Sequence, residues 1–169
     1  MSNLYEKHTI RDIQNIKEKY KGKKIGFTCG CFDLLHTGYL IMLKEAKDQC
    51  EVLVVGLQSD PTINRPYKNK PILNLFERKT MLTSLKYIDE IIDYNTESDL
   101  YNILLELKPN IRIIGDDWKR KEYTGYDIKD IPIYWHTIKH NYSVKSLCRK
   151  IYNIEKYKQN IIGSTYHLH

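Results

Sequence analysis

An α/β architecture, an open parallel sheet wound on both faces by helices, is what this 169-residue chain predicts. Three observations carry that expectation. Short apolar runs alternate with stretches of helical periodicity, at the spacing of βαβ units. The run EVLVVGL at 51–57 is apolar throughout after Glu51, as in a strand buried on both faces of a parallel sheet. Hydrophobic residues make up 41% and charged residues 28%, so the chain is neither disordered nor membrane-spanning in composition and suits one domain.

The elements follow in order. Thr9 is expected to cap a helix running to about Tyr20, with Ile10, Ile13 and Ile16 at helical spacing. Residues 24–28 read as a first strand, ending in Cys29-Gly30-Cys31-Phe32-Asp33, and a helix over 38–48 follows. After the strand at 51–57, a loop rich in Pro, Asn and Lys covers 58–74. A helix is expected over 75–87, a strand over 90–93, and a helix over 98–107 that stops before Pro109. Strands at 111–114 and 131–134 and a last helix over 143–154 complete the pattern. Residues 1–22 are accordingly set apart as a helical extension, 23–154 as the domain, and 155–169 as a weakly patterned tail.

Charge and cysteine usage narrow the function classes. Lys and Arg number 27 against 21 Asp and Glu, a net charge of +6, which favours anionic partners. The basic residues are interleaved with acids and form no nucleic-acid stripe. No apolar run approaches the roughly 20 residues of a spanning helix, and the charged first 20 residues lack a signal-peptide core. Cys29, Cys31, Cys50 and Cys148 have no framework spacing and read as reduced thiols of a cytoplasmic protein, and no metal site is expected from them.

In a sheet of this kind ligands sit beyond the carboxyl ends of the strands, so the loops at 29–38, 58–74, 115–125 and 135–143 are where chemistry is expected. The first is the most informative. Gly30 lets backbone amides approach an anion, the helix beginning near Gly38 aims its free N–H groups at the same place, and His36 stands just before it. Physics alone gives a phosphate site there. A turn holding a buried histidine is the plainer reading of a lone His.

The segment from Gly30 to Tyr39 resembles G-x-F-D-x-x-H-x-G-H, the hallmark of the cytidylyltransferase-like nucleotidyltransferases, and departs from it only at the last position. The similarity runs over 24–151. Leu75-x-Glu77-Arg78-Lys79 and Tyr87-Ile88-Asp89-Glu90 resemble the E-x-R-K helix and V-D-E strand of that family. Gly115-Asp116-Asp117-Trp118 resembles the G-D-D-W of glycerol-3-phosphate cytidylyltransferases. The resemblance implies a Rossmann-like doubly wound parallel sheet, a single domain of the H-x-G-H nucleotidyltransferase type. It implies transfer of CMP from CTP to a phosphorylated polyol or sugar, glycerol 3-phosphate by default, with Mg²⁺ accompanying the triphosphate and a homodimer as the assembly. The Gly30-Cys31-Phe32-Asp33 variant also occurs in relatives that use ATP with sugar phosphates.

Residue roles follow by the same carry-over. His36 donates to the reacting phosphates, with Tyr39 in place of the second histidine, and Arg78 is expected as a phosphate clamp. Gly30, Cys31, Phe32, Asp33 and Gly38 form the nucleotide turn, with Asp33 organising the loop. Arg65, Lys68 and Lys70 lie where mobile lysines close over the triphosphate, a solvated loop being the competing reading. Asp117 and Ser143 are placed towards the nucleotide, and Asp60, Asp89 and Trp118 towards the acceptor. Asp89 has the alternative of a helix-end or inter-subunit pairing residue, and Trp118 that of a core plug.

Two positions break the family pattern. Tyr39 offers one hydrogen bond but, with a reference pKa of about 10, no positive charge near neutrality. The segment Lys139-His140-Asn141-Tyr142-Ser143-Val144-Lys145 stands where relatives carry R-T-x-G-I-S-T-T, so the hydroxyl pair is lost and Lys145 is gained. One reading is a rewired site in which Tyr39 and Lys145 together replace the second histidine. The other is a nucleotide-binding pseudoenzyme.

Overall fold

The computed structural model describes residues 2–165. Strands β1 (Ile25–Gly30), β2 (Val52–Gln58), β3 (Glu90–Tyr94), β4 (Ile111–Gly115) and β5 (Ile133–His136) form one parallel sheet in the order β3-β2-β1-β4-β5. Helices α1 (Ser2–Lys19), α2 (Thr37–Asp48), α3 (Leu75–Thr83) and α4 (Glu97–Leu107) alternate with the first four strands, β4 and β5 are joined without an α-helix, and α5 (Val144–Thr165) follows β5. The chain builds outward from β1 to β3, then crosses back to place β4 on the other side of β1. The reversal of strand order therefore lies between β1 and β4, where such sheets open a crevice at their carboxyl ends.

Side-chain alternation along the strands sorts the core into two layers. Val52 and Val54 of β2 join Phe27, Ile92 and Tyr94 beneath Ile13, Ile16, Leu100, Ile103, Leu104 and Leu107, the inward stripes of α1 and α4. Leu53, Val55 and Leu57 face the other way and pack with Ile113, Leu43, Ala46 and Leu82 from β4, α2 and α3. Every residue of β2 is buried, as expected for the apolar run at 51–57.

Several boundaries differ from the sequence expectation, each for a local reason. Helix α1 starts at Ser2, so Thr9 lies inside it rather than at its start. Helix α3 stops at Thr83, with Ser84 as its C-cap, because Leu85 and Ile88 turn inward to reach β3. The last strand begins two residues late, since Pro132 offers only its carbonyl, which accepts from Arg112 N at 2.8 Å. Residues 155–165, set apart in the sequence as a weakly patterned tail, continue α5.

Candidate active site

A cleft of about 640 Å³ opens at the carboxyl ends of β1 and β4. Its walls come from the loops that follow β1, β2, β4 and β5 and from the start of α5. Among the residues expected from sequence, Gly30, Cys31, His36, Gly38, Tyr39, Arg65, Lys68, Asp117, Trp118, Ser143 and Lys145 all line it.

The first loop is held in a costly conformation. Phe32 and Leu34 both have positive φ (50° and 44°), which costs a bulky residue about 1–2 kcal/mol. That conformation buries the Phe32 ring beneath Gly30, where it joins the core and does not line the cleft. Asp33 fastens the turn from below, its carboxylate accepting from Ile72 N and Leu73 N at 2.9 and 3.0 Å. It thus joins the β1 loop to the β2 loop rather than meeting a ligand.

His36 is the N-cap of α2, and its Nδ1 accepts from Gly38 N at 3.1 Å. That bond assigns the neutral ring its proton on Nε2, leaving one N–H to donate elsewhere. Burial, and then the charge of His140, hold His36 below the ordinary histidine value. Tyr39 stacks on the same ring, with centroids 4.3 Å apart, and packs against Phe32 on its other side. Burial pushes the Tyr39 phenol up to about 12, so it is a neutral donor. A Cβ on Gly38 would fall 2.6 Å from His140 Cε1 and 3.0 Å from His36 Cε1, so only glycine lets these rings close over the turn.

Arg78 is not a clamp for phosphate. It is 1% exposed, and its guanidinium donates to four backbone carbonyls: Leu73 at 3.0 Å, Cys31 at 2.7 Å, Gln58 at 2.7 Å and Ser59 at 2.6 Å. A cation so placed ties the β1 loop to both ends of the β2 loop and has no fork left for a ligand. Asp60 is likewise spent on its own loop, where Oδ1 accepts from the amide and hydroxyl of Thr62 and is held below the carboxylate range by them. Asp89 lies at the amino end of β3, the edge of the sheet away from the cleft, and accepts from Lys47 Nζ and Leu53 N. The pairing alternative holds for Asp89, and a substrate role does not. Lys70 is exposed on the loop outside the cleft lining.

Trp118 is neither plug nor bare platform. It is half-buried on the cleft wall with Arg65 over its ring at 5.4 Å and Lys121 at 5.6 Å. Arg65 also pairs with Glu97 at 2.8 Å. Ser143 caps α5, its Oγ accepting from Ser146 N at 3.1 Å. Lys145, in the first turn of α5, is exposed and makes no ion pair among the described residues. Sequence reasoning passed over Arg112, Tyr123, His136 and His140, which also line the cleft. The signal for Arg112 was a charge inside the strand Ile111-Arg112-Ile113-Ile114. His136 is committed to Glu45, 2.7 Å from its Nδ1, whereas both nitrogens of His140 are buried without a partner.

Residues 27–167 match the family described as cytidylyltransferase-like. The chain belongs to that family. Its members are nucleotidyltransferases, and the turn at 30–39 is the part of this chain that carries the family hallmark. The bifunctional protein HldE of a Nitratiruptor species is 38% identical over 125 residues, 70% of this chain and 27% of that protein. HldE of Campylobacter jejuni subsp. doylei is 37% identical over 111 residues, 65% of this chain and 24% of that protein. The chain spans about a quarter of the length of these curated relatives. Among solved structures, a lipopolysaccharide core biosynthesis protein from Thermoplasma volcanium superposes with a TM-score of 0.56 at 28% identity, covering 72% of this chain and 100% of that one. A pantoate-beta-alanine ligase from Francisella tularensis (TM-score 0.57, 18% identity, 78% of this chain and 66% of that one) shares the fold. No helix among the described residues is long and apolar enough to cross a membrane.

Proposed function

We propose that this protein transfers a nucleotidyl group from a nucleoside triphosphate to a phosphorylated sugar or polyol. An oxygen of the acceptor phosphate attacks the α-phosphorus, a P–O bond forms, and the bond to the β-phosphate breaks as pyrophosphate leaves. The observation that carries this reading is His36, whose Nδ1 is fixed as an acceptor by Gly38 N, so that Nε2–H is a preorganised donor at the start of α2. Such a donor stabilises charge developing on a phosphate without needing to ionise. The helix N-terminus and the turn at Gly30 supply backbone N–H groups beside it. Tyr39 adds a neutral hydroxyl, and Lys68 and Lys145 are the exposed cations on the cleft walls.

The donor is CTP on the strength of Gly115-Asp116-Asp117-Trp118. ATP is a second reading, favoured by Gly30-Cys31-Phe32-Asp33. A sugar phosphate as acceptor agrees with the name of the Thermoplasma volcanium structure, since a lipopolysaccharide core is built of sugars. No group of three or more ligating side chains that could hold a metal occurs among the described residues. Magnesium therefore suits this cleft as an ion carried by the triphosphate oxygens, with Asp117 as the exposed carboxylate beside them. When bound it neutralises phosphate charge. A homodimer is the assembly proposed from the family resemblance.

Pyrophosphate release, followed with each nucleoside triphosphate and a panel of sugar and polyol phosphates, tests the reading. Turnover with one pair names donor and acceptor. Triphosphate binding without turnover across the panel would leave a nucleotide-binding pseudoenzyme.

A further inference from the structure

We propose that Arg112 is the anion-binding residue for the acceptor, receiving the acceptor's phosphate on a guanidinium that the protein itself leaves without a counter-charge. The proposal rests on the transfer reading above for the identity of that phosphate, and on the structure for the site.

Two arginines lie in the interior, and they differ. Arg78 is satisfied by four carbonyls. Arg112 is also buried, at 5% exposed, on the second residue of β4 and on the sheet face covered by α4. Its guanidinium has one good bond, Nη1 to Thr124 O at 2.5 Å, and a sulfur contact at 4.0 Å from Nη2 to Cys29 Sγ. Its Nε–H is buried with no partner. Among the described residues no carboxylate pairs with it, and Glu97, the acid of this region, is taken by Arg65 and by the Thr124 hydroxyl. The face of Tyr123 covers the guanidinium at 5.5 Å, and Gly125, at φ 79°, brings its backbone down on Nη1.

A permanently ionised group withdrawn from water without an opposite charge is destabilising to the empty protein. Arg112 lines the cleft, so an anion can reach it from there. The planar fork suits the paired oxygens of a phosphate better than a lysine would. The position also suits an acceptor. Cys29, which Nη2 touches, immediately precedes Gly30, so a phosphate on Arg112 stands beside the turn where the α-phosphate is proposed to lie. An acceptor held there is oriented for attack.

The test compares wild type with Arg112→Met, which keeps an unbranched stem of similar reach, and Arg112→Gln, which keeps a donor for Thr124 O. Inorganic phosphate is titrated by calorimetry into the full chain, free and saturated with a non-hydrolysable triphosphate analogue. Wild type is expected to bind phosphate in both states, and both variants at least tenfold more weakly. Their melting temperatures without phosphate are expected to match or exceed that of wild type, because a lone buried charge has gone. The KM for the acceptor should rise at least tenfold while that for the triphosphate stays unchanged. Phosphate affinity indifferent to both substitutions, phosphate binding abolished by the analogue, or no phosphate binding to wild type would overturn the proposal. So would loss of the fold in both variants, which would make Arg112 a tether like Arg78. Pyrophosphate release reads the transfer reaction separately: its failure, with phosphate binding still dependent on Arg112, would remove the reaction and leave the site.

Discussion

Removing the Arg78 side chain would take the buried donor away from the carbonyls of Cys31, Gln58, Ser59 and Leu73. Each bond to a charged donor is worth about 1.5–3 kcal/mol, and breaking a buried charged cluster typically costs about 3–5 kcal/mol. Arg78→Ala should therefore lose about 3–5 kcal/mol in urea unfolding. A loss under about 1 kcal/mol, with only the KM for triphosphate raised, would restore the clamp reading that the sequence motif suggested. Tyr39 is the converse case. Its hydroxyl makes no bond within the described chain while its ring is packed between His36 and Phe32. Tyr39→Phe should leave stability within about 0.5 kcal/mol and lower kcat more than it raises KM for triphosphate, since the lost donor acts on developing charge. Equal kcat in steady-state assays would show that the phenol only packs. Motif matching identified both positions but not their opposite roles, because a motif records residue type and spacing, and the partners of a buried guanidinium are decided by how two loops fold together around it.

The elements decide where charges meet the ligand. Helix α5 begins at Val144, and Lys145 in its first turn faces the positive end of the helix dipole, an unfavourable place for a cation unless an anion joins it. Lys145→Ala should weaken triphosphate binding by about 1–2 kcal/mol, as loss of a charge-assisted bond does; calorimetry showing unchanged affinity would remove Lys145 from the site. At the start of α2, His36 is held below its ordinary value of 6.5 by burial and by His140. A histidine depressed in the native state binds fewer protons than in the unfolded chain, so stability is full above 6.5 and falls as pH drops through that value. His36→Gln should flatten that limb of the pH–stability curve, and an unchanged limb in chemical unfolding between about pH 5 and 7.5 would assign it to other histidines. Short apolar runs alternating with helical stretches made the strands legible in the sequence, and the segment from Gly30 to Tyr39 placed the start of α2. The start of β5 was not, since Ile131 and Pro132 look like strand residues and only the missing proline N–H delays the pairing. Nor was Asp89 legible: its motif neighbours the sheet, but sequence does not say at which end of a strand a carboxylate stands.

At the scale of the whole molecule, one face of the sheet is closed by an element outside the family match, which begins at residue 27. Helix α1 lays Ile13 (1% exposed) and Ile16 (6% exposed) over the layer formed by β1 to β3 and α4. Its polar ties are peripheral: Lys17 Nζ donates to Glu106 O at 2.9 Å, and Lys19 and Tyr20 both reach Glu90 at 2.6 and 2.9 Å. The apolar contact rather than the ion pair should hold the helix, because an exposed pair contributes about 0–1 kcal/mol whereas emptying a fully buried isoleucine site costs about 2–5 kcal/mol. Ile13→Ala is therefore expected to lower unfolding free energy by about 2–5 kcal/mol, and Lys19→Ala to leave it nearly unchanged. The cleft lies at the carboxyl ends of the strands and α1 contributes nothing to its lining, so the folded Ile13→Ala protein should bind triphosphate as wild type does. Urea unfolding of both variants, with calorimetry on the first, separates the alternatives. A neutral Ile13→Ala would mean that the sheet face is closed without α1, and a stability loss accompanied by weakened binding would mean that α1 acts on the cleft through the sheet.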